Sequence, residues 1–154
     1  MKCRVVIKID YGFFLEKQRY QNIPLTRLSS GHFILPVQIN QAAPVYFLFD
    51  TGTGETTLSD HYVNYLHIHP NTHYQTQAAS QGTIKVADIT LKTITFNPLQ
   101  TFFLKPIMLH DRKVSAANIA SLARILGVAG VLGLTDVEKL QTIIDIPTQS
   151  IFIR

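Results

Sequence analysis

The sequence predicts a single all-β domain that carries a few short helices. The chain has 154 residues, which is the usual size of one domain. It contains 17 Ile, 10 Val and 15 Thr, and β-branched residues favour strands. Apolar stretches of strand length recur along the chain between turns rich in Gly, Pro, Asn and Ser. With 46% apolar and only 16% charged residues, the composition is typical of a folded core rather than a disordered chain.

Charge, cysteine content and hydropathy exclude several classes of protein. The net charge of +4 would permit nucleic-acid binding, but the 14 Lys and Arg residues are scattered, so no nucleic-acid partner is expected. The single cysteine, Cys3, excludes an internal disulfide and a cysteine-based zinc site. No apolar run approaches the roughly 18 residues of a membrane span, and Asp10 and Glu16 interrupt the region where a signal peptide is apolar. We therefore expect a soluble protein, whose localisation, including export, stays open.

Apolar stretches in the first half of the chain predict five strands and one helix. The strands are expected over residues 5–9, 23–28, 32–39, 45–49 and 56–58. Turns are expected at residues 29–31, which are Ser-Ser-Gly, and at residues 40–41, which are Asn-Gln. Ser59 is a favourable helix N-cap, so a short helix is predicted over residues 60–66.

The second half predicts further strands and two helices. The expected strands are the two arms of a hairpin over residues 74–91 with its turn at 78–82, then residues 94–96, 101–109, 142–146 and 150–154. The spacing of apolar residues predicts a helix over residues 114–126. Thr135 and Glu138 have the spacing of a capping box, which predicts a short helix to about Gln141.

The most informative feature of the sequence is an acidic residue at the end of a buried strand. Five consecutive apolar residues lead directly to Asp50. Burying a carboxylate is costly unless other groups hydrogen-bond it. Gly52 and Gly54 allow backbone N–H groups to turn towards the carboxylate, and Thr51 and Thr53 add hydroxyl groups. The loop therefore has the composition needed to hold a partly buried carboxylate.

Three interpretations of this loop compete. Asp50-Thr51-Gly52 has the composition of an aspartic-protease loop. Gly52 and Gly54 also begin a dinucleotide fingerprint, but Thr57 stands where its third Gly would fall, and no Gly-Lys-Ser/Thr follows for a Walker loop. The string also resembles the first phosphate motif of actin-like sugar kinases, which need two domains and a longer chain. The third interpretation is a plain structural turn.

A second motif lies near the end of the chain, where Val131 and Leu132 precede Gly133, a short helix and a final strand. Between the two motifs, residues 82–86 look like a returning hairpin strand. In this order, the sequence resembles the retropepsin-like aspartic protease family, which includes retroviral proteases and their bacterial single-domain relatives.

The resemblance covers residues 23–154, so these are interpreted as the protease domain and residues 1–22 as an N-terminal extension or arm. It implies a retropepsin-like closed β-barrel-type fold with one to three short helices. In such a fold the Asp-Thr-Gly loop and the apolar-Gly segment pack together under the active site. Residues 78–82 would form the tip of a flap hairpin. Whether residues 1–22 are a propeptide, a dimer arm or a strand of the domain stays open.

The resemblance implies an aspartic endopeptidase that hydrolyses peptide bonds in extended substrates. Such hydrolysis needs two carboxylates that share one proton, one activating a water and the other hydrogen-bonding the substrate carbonyl. Only Asp50 is followed by Thr-Gly or Ser-Gly, so one chain cannot build the pair and a two-fold homodimer is expected. The closing strand, residues 150–154, is a candidate for an intersubunit sheet. The expected partners are a second copy of the chain and a protein or peptide substrate.

The expected catalytic residues are Asp50, Thr51, Gly52 and Thr53. Thr53 stands where the family usually has Ala or Ser, and its hydroxyl could donate to the Asp50 carboxylate. Such a bond favours the charged form, from which we expect an acidic optimum. The resemblance implies that Thr51 clamps the partner's loop. The expected substrate-binding residues lie in the flap and the pocket: Ala79, Ser80, Gln81, Gly82, Val131, Leu132 and Gly133.

Three further expectations concern function. Residues 110–130 look inserted relative to the retroviral enzymes, and the sequence leaves open whether they form a lid or part of the core. No cofactor and no metal site are expected, because His67, His69 and His73 lack a cysteine and a suitably spaced acid. The alternative function is a catalytically silent dimeric peptide-binding or assembly module of the same fold.

Overall fold

The computed structural model describes residues 11–79, 82–96 and 105–154, which form eleven strands and four short helices. The helices are α1 (Tyr11–Lys17), α2 (Asp60–Tyr65), α3 (Ala120–Leu126) and α4 (Leu134–Lys139). The strands are β1 (Gln21–Pro24), β2 (Thr26–Arg27), β3 (Phe33–Ile39), β4 (Val45–Phe49), β5 (Thr57–Ser59), β6 (Gln75–Ala79), β7 (Gly82–Phe96), β8 (Ile107–Ala117), β9 (Gly130–Leu132), β10 (Ile143–Asp145) and β11 (Ser150–Ile153). The mostly β architecture is confirmed.

The main sheet closes on itself. Its eight strands follow the order β2-β3-β4-β9-β5-β8-β7-β6, and an additional antiparallel pairing joins β3 to β7. Six strands therefore form a ring, and β2 and β6 extend from it. The side chains inside this ring form the main core, which includes Leu35, Val37, Phe47, Ile89 and Phe96. Each of these five is 0% exposed.

A smaller apolar cluster lies apart from the main core. Its buried members are Ile34, Leu48, Val128 and Val131, and its partly buried members are Leu28, Ile119, Leu122 and Leu126. Because Phe47 belongs to the main core and Leu48 to this second cluster, β4 is apolar on both faces. Side chains of successive strand residues point to opposite faces. This explains why the sequence of β4 is an unbroken apolar run.

The second sheet has three strands in the order β1-β11-β10. β11 is its central strand and pairs with β1 on one side and β10 on the other. The sequence interpretation of residues 150–154 as an intersubunit strand is therefore wrong for β11, since both of its edges are already paired. Within this sheet, only the outer edges of β1 and β10 lack a described partner strand.

The helices differ from the sequence predictions in three ways. Four short helices occur among the described residues instead of one to three, and the additional one is α1. The predicted helix over residues 114–126 is wrong for residues 114–117, which continue β8 between β5 and β7. All four of these residues are buried, so strand pairing outweighs their helical spacing. The capping box is also wrong, because the N-cap of α4 is Gly133 and Thr135 lies inside the helix.

Most other predicted elements are confirmed. β4 has the predicted bounds, and Ser59 caps α2 by accepting a hydrogen bond from the N–H of Tyr62 at 3.2 Å. The hairpin of β6 and β7 is present. The predicted strand over residues 5–9 and the first part of the strand over residues 101–109 lie outside the described residues. No helix within the described ranges has the length and hydropathy needed to cross a membrane.

Candidate active site

Strand pairing places the Asp50 loop against β9. β9 pairs parallel with β4 and antiparallel with β5, so the loop leaves β4 and reaches β5 on the far side of β9. The N–H of Asp50 donates to the carbonyl of Leu132 at 3.3 Å. The two motifs that the sequence singled out are far apart in the chain but are therefore in direct contact through the backbone.

The loop hydrogen-bonds both oxygens of the half-buried Asp50 carboxylate. The N–H of Gly52 donates to Oδ1 at 2.8 Å. The hydroxyl of Thr53 donates to Oδ2 at 3.0 Å, which confirms the contact expected from the sequence. Two donors on two different oxygens fix the plane of the carboxylate. This arrangement holds the half-buried carboxylate with a hydrogen-bond donor on each oxygen.

Gly133 allows the closest approach beneath the loop. Its N–H donates to the hydroxyl of Thr56 at 3.1 Å. A Cβ at Gly133 would lie 2.3 Å from the carbonyl carbon of Glu55 and 2.7 Å from the nitrogen of Thr56. Such distances are well inside van der Waals contact, and both atoms belong to the backbone, so they cannot rotate away. The glycine of the apolar-Gly motif is therefore required by packing.

The first turn of α4 is capped by the loop. The N–H of Leu134 donates to the carbonyl of Thr53 at 2.8 Å, and the N–H of Thr135 donates to the carbonyl of Gly54 at 3.0 Å. The hydroxyl of Thr135 donates to the same Gly54 carbonyl at 2.8 Å. Helix N-termini have N–H groups without intrahelical partners. Here the loop carbonyls satisfy them, so a capping box is unnecessary.

Three residues of the site were not identified from the sequence. Thr56 is 1% exposed and supports Gly133. Glu55 is exposed at the end of the loop, and its Oε2 accepts a hydrogen bond from the hydroxyl of Ser115 at 3.1 Å. The position of Thr56 directly after the loop was visible in the sequence. The contact with Ser115, 60 residues away, could be found only from the fold.

The expected substrate-binding residues occupy different environments. Val131 and Leu132 are 6% and 1% exposed and pack in the second cluster and the main core. Ala79 and Gly82 face each other across the hairpin of β6 and β7. Ser80 and Gln81 lie outside the described residues. Thr51 is exposed at the tip of the loop.

A buried ion pair anchors α4 to the barrel. Arg112 on β8 contacts Oδ1 of Asp136 through Nη2 at 2.6 Å and Nε at 2.7 Å. The side chains are 14% and 1% exposed. Asp136 belongs to the helix whose first turn binds the Asp50 loop. The ion pair therefore fixes the helix on which the loop rests.

Burial accounts for the raised pKa of Tyr62. Among the described residues, the buried Tyr62 hydroxyl has no hydrogen-bond partner. This burial, followed by the nearby Tyr65, raises the pKa of Tyr62 above 10.0. His67, His69 and His73 are exposed. Across residues 11–79, 82–96 and 105–154, no three His, Cys, Asp or Glu side chains group together in a way that could hold a metal ion.

Comparisons with known proteins agree with this geometry. Residues 35–129 match the model of a family described as "gag-polyprotein putative aspartyl protease". The matched segment is more than half of the chain and contains the Asp50 loop. It ends just before β9.

Solved structures show the same fold. The chain is similar to a retropepsin-like aspartic protease from Rickettsia conorii, with 19% identity, a TM-score of 0.60 and coverage of 86% of this chain and 98% of that chain. It is also similar to EIAV protease in complex with the inhibitor HBY-793, with 17% identity, a TM-score of 0.54 and coverage of 79% and 99%. A third similar structure is the retroviral protease-like domain of Ddi1 from Leishmania major, with 13% identity, a TM-score of 0.52 and coverage of 78% and 86%.

No match was found among curated protein sequences. The solved structures, at these identities, show the fold alone. The match to the family model shows the family of the chain, because the matched segment is more than half of the chain and includes the Asp50 loop. The chain therefore belongs to the gag-polyprotein aspartyl protease family and has a retropepsin-like fold.

Proposed function

We propose that the protein is an aspartic endopeptidase that hydrolyses peptide bonds in extended substrates as a two-fold homodimer. The observation that carries this proposal is the Asp50 carboxylate, which is half-buried and hydrogen-bonded on both oxygens by its own loop. A structural turn has no need to hold a carboxylate in this way. The family to which the chain belongs supports peptide-bond hydrolysis as the class of reaction.

Two copies of Asp50 would supply the chemistry. Like charges about 3 Å apart resist simultaneous ionisation, so the pair holds one proton between its two carboxyl groups. The ionised carboxylate removes a proton from a water, and the water oxygen attacks the peptide carbonyl carbon. The protonated carboxyl donates a hydrogen bond to the carbonyl oxygen. Collapse of the tetrahedral intermediate breaks the C–N bond, and the amine leaves with a proton from the pair.

The surface near the loop suits a second copy of the chain. Thr51 is exposed, so its hydroxyl is available to the partner's loop. Leu134, directly beside the loop, is 39% exposed. On β10, Ile143 and Ile144 are 39% and 41% exposed, and Ile146 just beyond it is 52% exposed. An edge strand with exposed apolar side chains readily pairs with another chain. We therefore assign the intersubunit sheet to β10 rather than β11.

The substrate would be an extended peptide held by strand-like hydrogen bonds beneath the hairpin of β6 and β7. In this proposal the hairpin acts as the flap, and Ala79, Ser80, Gln81 and Gly82 contact the peptide. Val131, Leu132 and Gly133 form the floor under the catalytic loop. The hydroxyl of Thr53 holds Oδ2 of Asp50, and we expect the enzyme to favour acidic pH. No nucleic acid, metal or cofactor takes part.

A cleavage assay tests the proposal. Wild type, Asp50→Asn and the matched control Asp88→Asn, at an exposed aspartate on β7, are incubated with denatured protein from pH 3 to 8. Products are read by mass spectrometry, and sedimentation equilibrium gives the oligomeric state. We expect cleavage by a dimer, loss of at least about 100-fold in Asp50→Asn, and no change in the control.

Two results would contradict the proposal. Cleavage by a monomer would refute the shared carboxylate pair. A dimer that binds peptides but cleaves none at any pH would refute the peptidase and favour the silent peptide-binding module.

A further inference from the structure

Asp50 shares a sheet face with the second apolar cluster. Along β4, Phe47 points into the main core and Leu48 into the second cluster. Asp50 directly follows β4, and its N–H continues the pairing with β9 by donating to the carbonyl of Leu132 at 3.3 Å. Strand alternation extended by this bond directs the Asp50 side chain to the same face as Leu48. Two residues of strand span about 6.6 Å. The apolar surface around Leu48 therefore begins immediately beside the catalytic carboxylate.

Helix α3 covers this apolar surface. Leu48 pairs in register with Val131 on β9, and both residues are buried in the second cluster. Leu122 and Leu126, which lie one helical turn apart on α3, pack against that cluster. A peptide bound at Asp50 would place an apolar side chain on this surface only where α3 now lies.

The helix is held mainly by these two leucines. No side chain of α3 is buried. Among the described residues, the hydrogen bonds of residues 120–126 stay within the local segment, for example Ala123 to Ile119 and Val128 to Ala123. Segments with few buried contacts and only local hydrogen bonds open at low free-energy cost. A shift of α3 would therefore break no hydrogen bond that the structure describes between residues 120–126 and the barrel.

A cleft borders α3 on a side other than that of the two leucines. The cleft has a volume of about 560 Å³ and is lined by Tyr46, Tyr62, Ala123 and Arg124, and also by Val128 of the second cluster. Ala123 and Arg124 belong to α3 itself, whereas Leu122 and Leu126 face the second cluster. One side of the helix thus covers the surface beside Asp50, and another borders open space.

We propose that α3 is a lid over the apolar subsite of the protease, and that Leu122 and Leu126 determine which substrate side chains the subsite accepts. This inference rests on the proposed peptidase function. On binding, a substrate side chain replaces the contacts of the two leucines with Leu48 and Val131, and α3 shifts towards the cleft. Side chains that match the space released by the leucines are preferred, so residues 110–130 contribute a specificity element.

Selectivity within one enzyme variant tests this proposal. A peptide cleaved by the wild type is made with either Val or Phe before the scissile bond, and kcat/KM is measured for both. Leu122→Ala and Leu126→Ala enlarge the subsite, and we expect the Phe-to-Val ratio to rise about 10-fold. Ile125→Ala is the matched control, because Ile125 is on the same helix and 75% exposed. Its ratio should stay at the wild-type value.

The ratio separates specificity from stability, because partial unfolding lowers both rates equally. If both leucine variants cleave the peptides with the wild-type Phe-to-Val ratio of kcat/KM, the lid proposal is refuted, whereas the proposed peptidase function is not. A second readout is hydrogen exchange of residues 119–127 in Asp50→Asn, with and without the Phe peptide. Peptide-dependent exchange in α3 without cleavage by the wild type would support the lid and refute the peptidase. Neither cleavage nor a change in exchange would refute both.

Discussion

The ion pair of Arg112 and Asp136 predicts an asymmetric response to mutation. Asp136 is 1% exposed, whereas Arg112 is 14% exposed. Arg112→Met leaves a carboxylate charge buried without a partner, and we expect a loss of about 3–5 kcal/mol in the free energy of unfolding. Asp136→Asn leaves a guanidinium that still reaches solvent and an amide oxygen that can accept from it. We expect a smaller loss, about 1.5–3 kcal/mol.

Urea unfolding at a fixed protein concentration measures both losses. With a slope of about 2 kcal/mol per M, the loss in Arg112→Met lowers the midpoint by about 1.5–2.5 M. Fixed concentration is needed because dimerisation stabilises the folded state by mass action. Arg124→Gln is the matched control, since Arg124 is exposed and has no ion pair with the described residues. Its free energy of unfolding should change by no more than about 0.5 kcal/mol.

The double variant provides the sharpest test of this reasoning. Replacing both charges, as Arg112→Met with Asp136→Leu, removes the uncompensated carboxylate, so the double variant should be more stable than Arg112→Met alone. If Asp136→Asn is the more destabilised single variant, burial of the carboxylate is not the dominant cost. If the double variant is no more stable than the less stable single variant, the ion pair is required for packing rather than for charge compensation.

Three further predictions concern the loop and the core. Gly133→Ala should prevent folding or abolish activity, because its Cβ would lie 2.3 Å from the Glu55 backbone; soluble yield and circular dichroism measure this. Thr53→Ala should lower kcat/KM for peptide cleavage about 10-fold, since one of the two donors that orient the Asp50 carboxylate is lost, while Thr53→Ser keeps the wild-type value. Tyr62→Phe should reduce the loss of stability at alkaline pH, measured by thermal unfolding from pH 8 to 11. Because burial raises the pKa of Tyr62 above 10.0, its neutral form stabilises the fold fully below pH 10.0, and this contribution is lost as the pH rises through the raised pKa.

Local sequence was sufficient where one segment determines its own structure. The apolar run of β4, the loop that follows it and the bond from Thr53 to Asp50 involve neighbouring residues, and the structure contains all of them. The N-cap at Ser59 is equally local. Each of these features depends on backbone geometry over a few residues, for which residue types are informative.

The errors arose where distant segments decide the structure. Residues 114–117 have helical spacing but pair with β5 and β7, and the sequence does not show these partners. Thr135 matches a capping residue, yet the carbonyls of Thr53 and Gly54 occupy that role from 81 residues away. The edges of β11 are taken by β1 and β10. In the first two cases a tertiary hydrogen bond replaces the local one that the pattern predicted, and in the third, strands of the same chain occupy the edges of β11.

The two faces of β4 contact different parts of the molecule. Phe47 is 0% exposed in the main core and fixes the strand within the barrel. The opposite face carries Tyr46 beside the cleft, Leu48 beneath α3 and then Asp50. Since alternate side chains occupy different faces, substitutions that retune the surface beside Asp50 need not disturb the core behind it. Changes in α3 could therefore alter the surface beside Asp50 while the barrel and the Asp-Thr-Gly loop stayed unchanged.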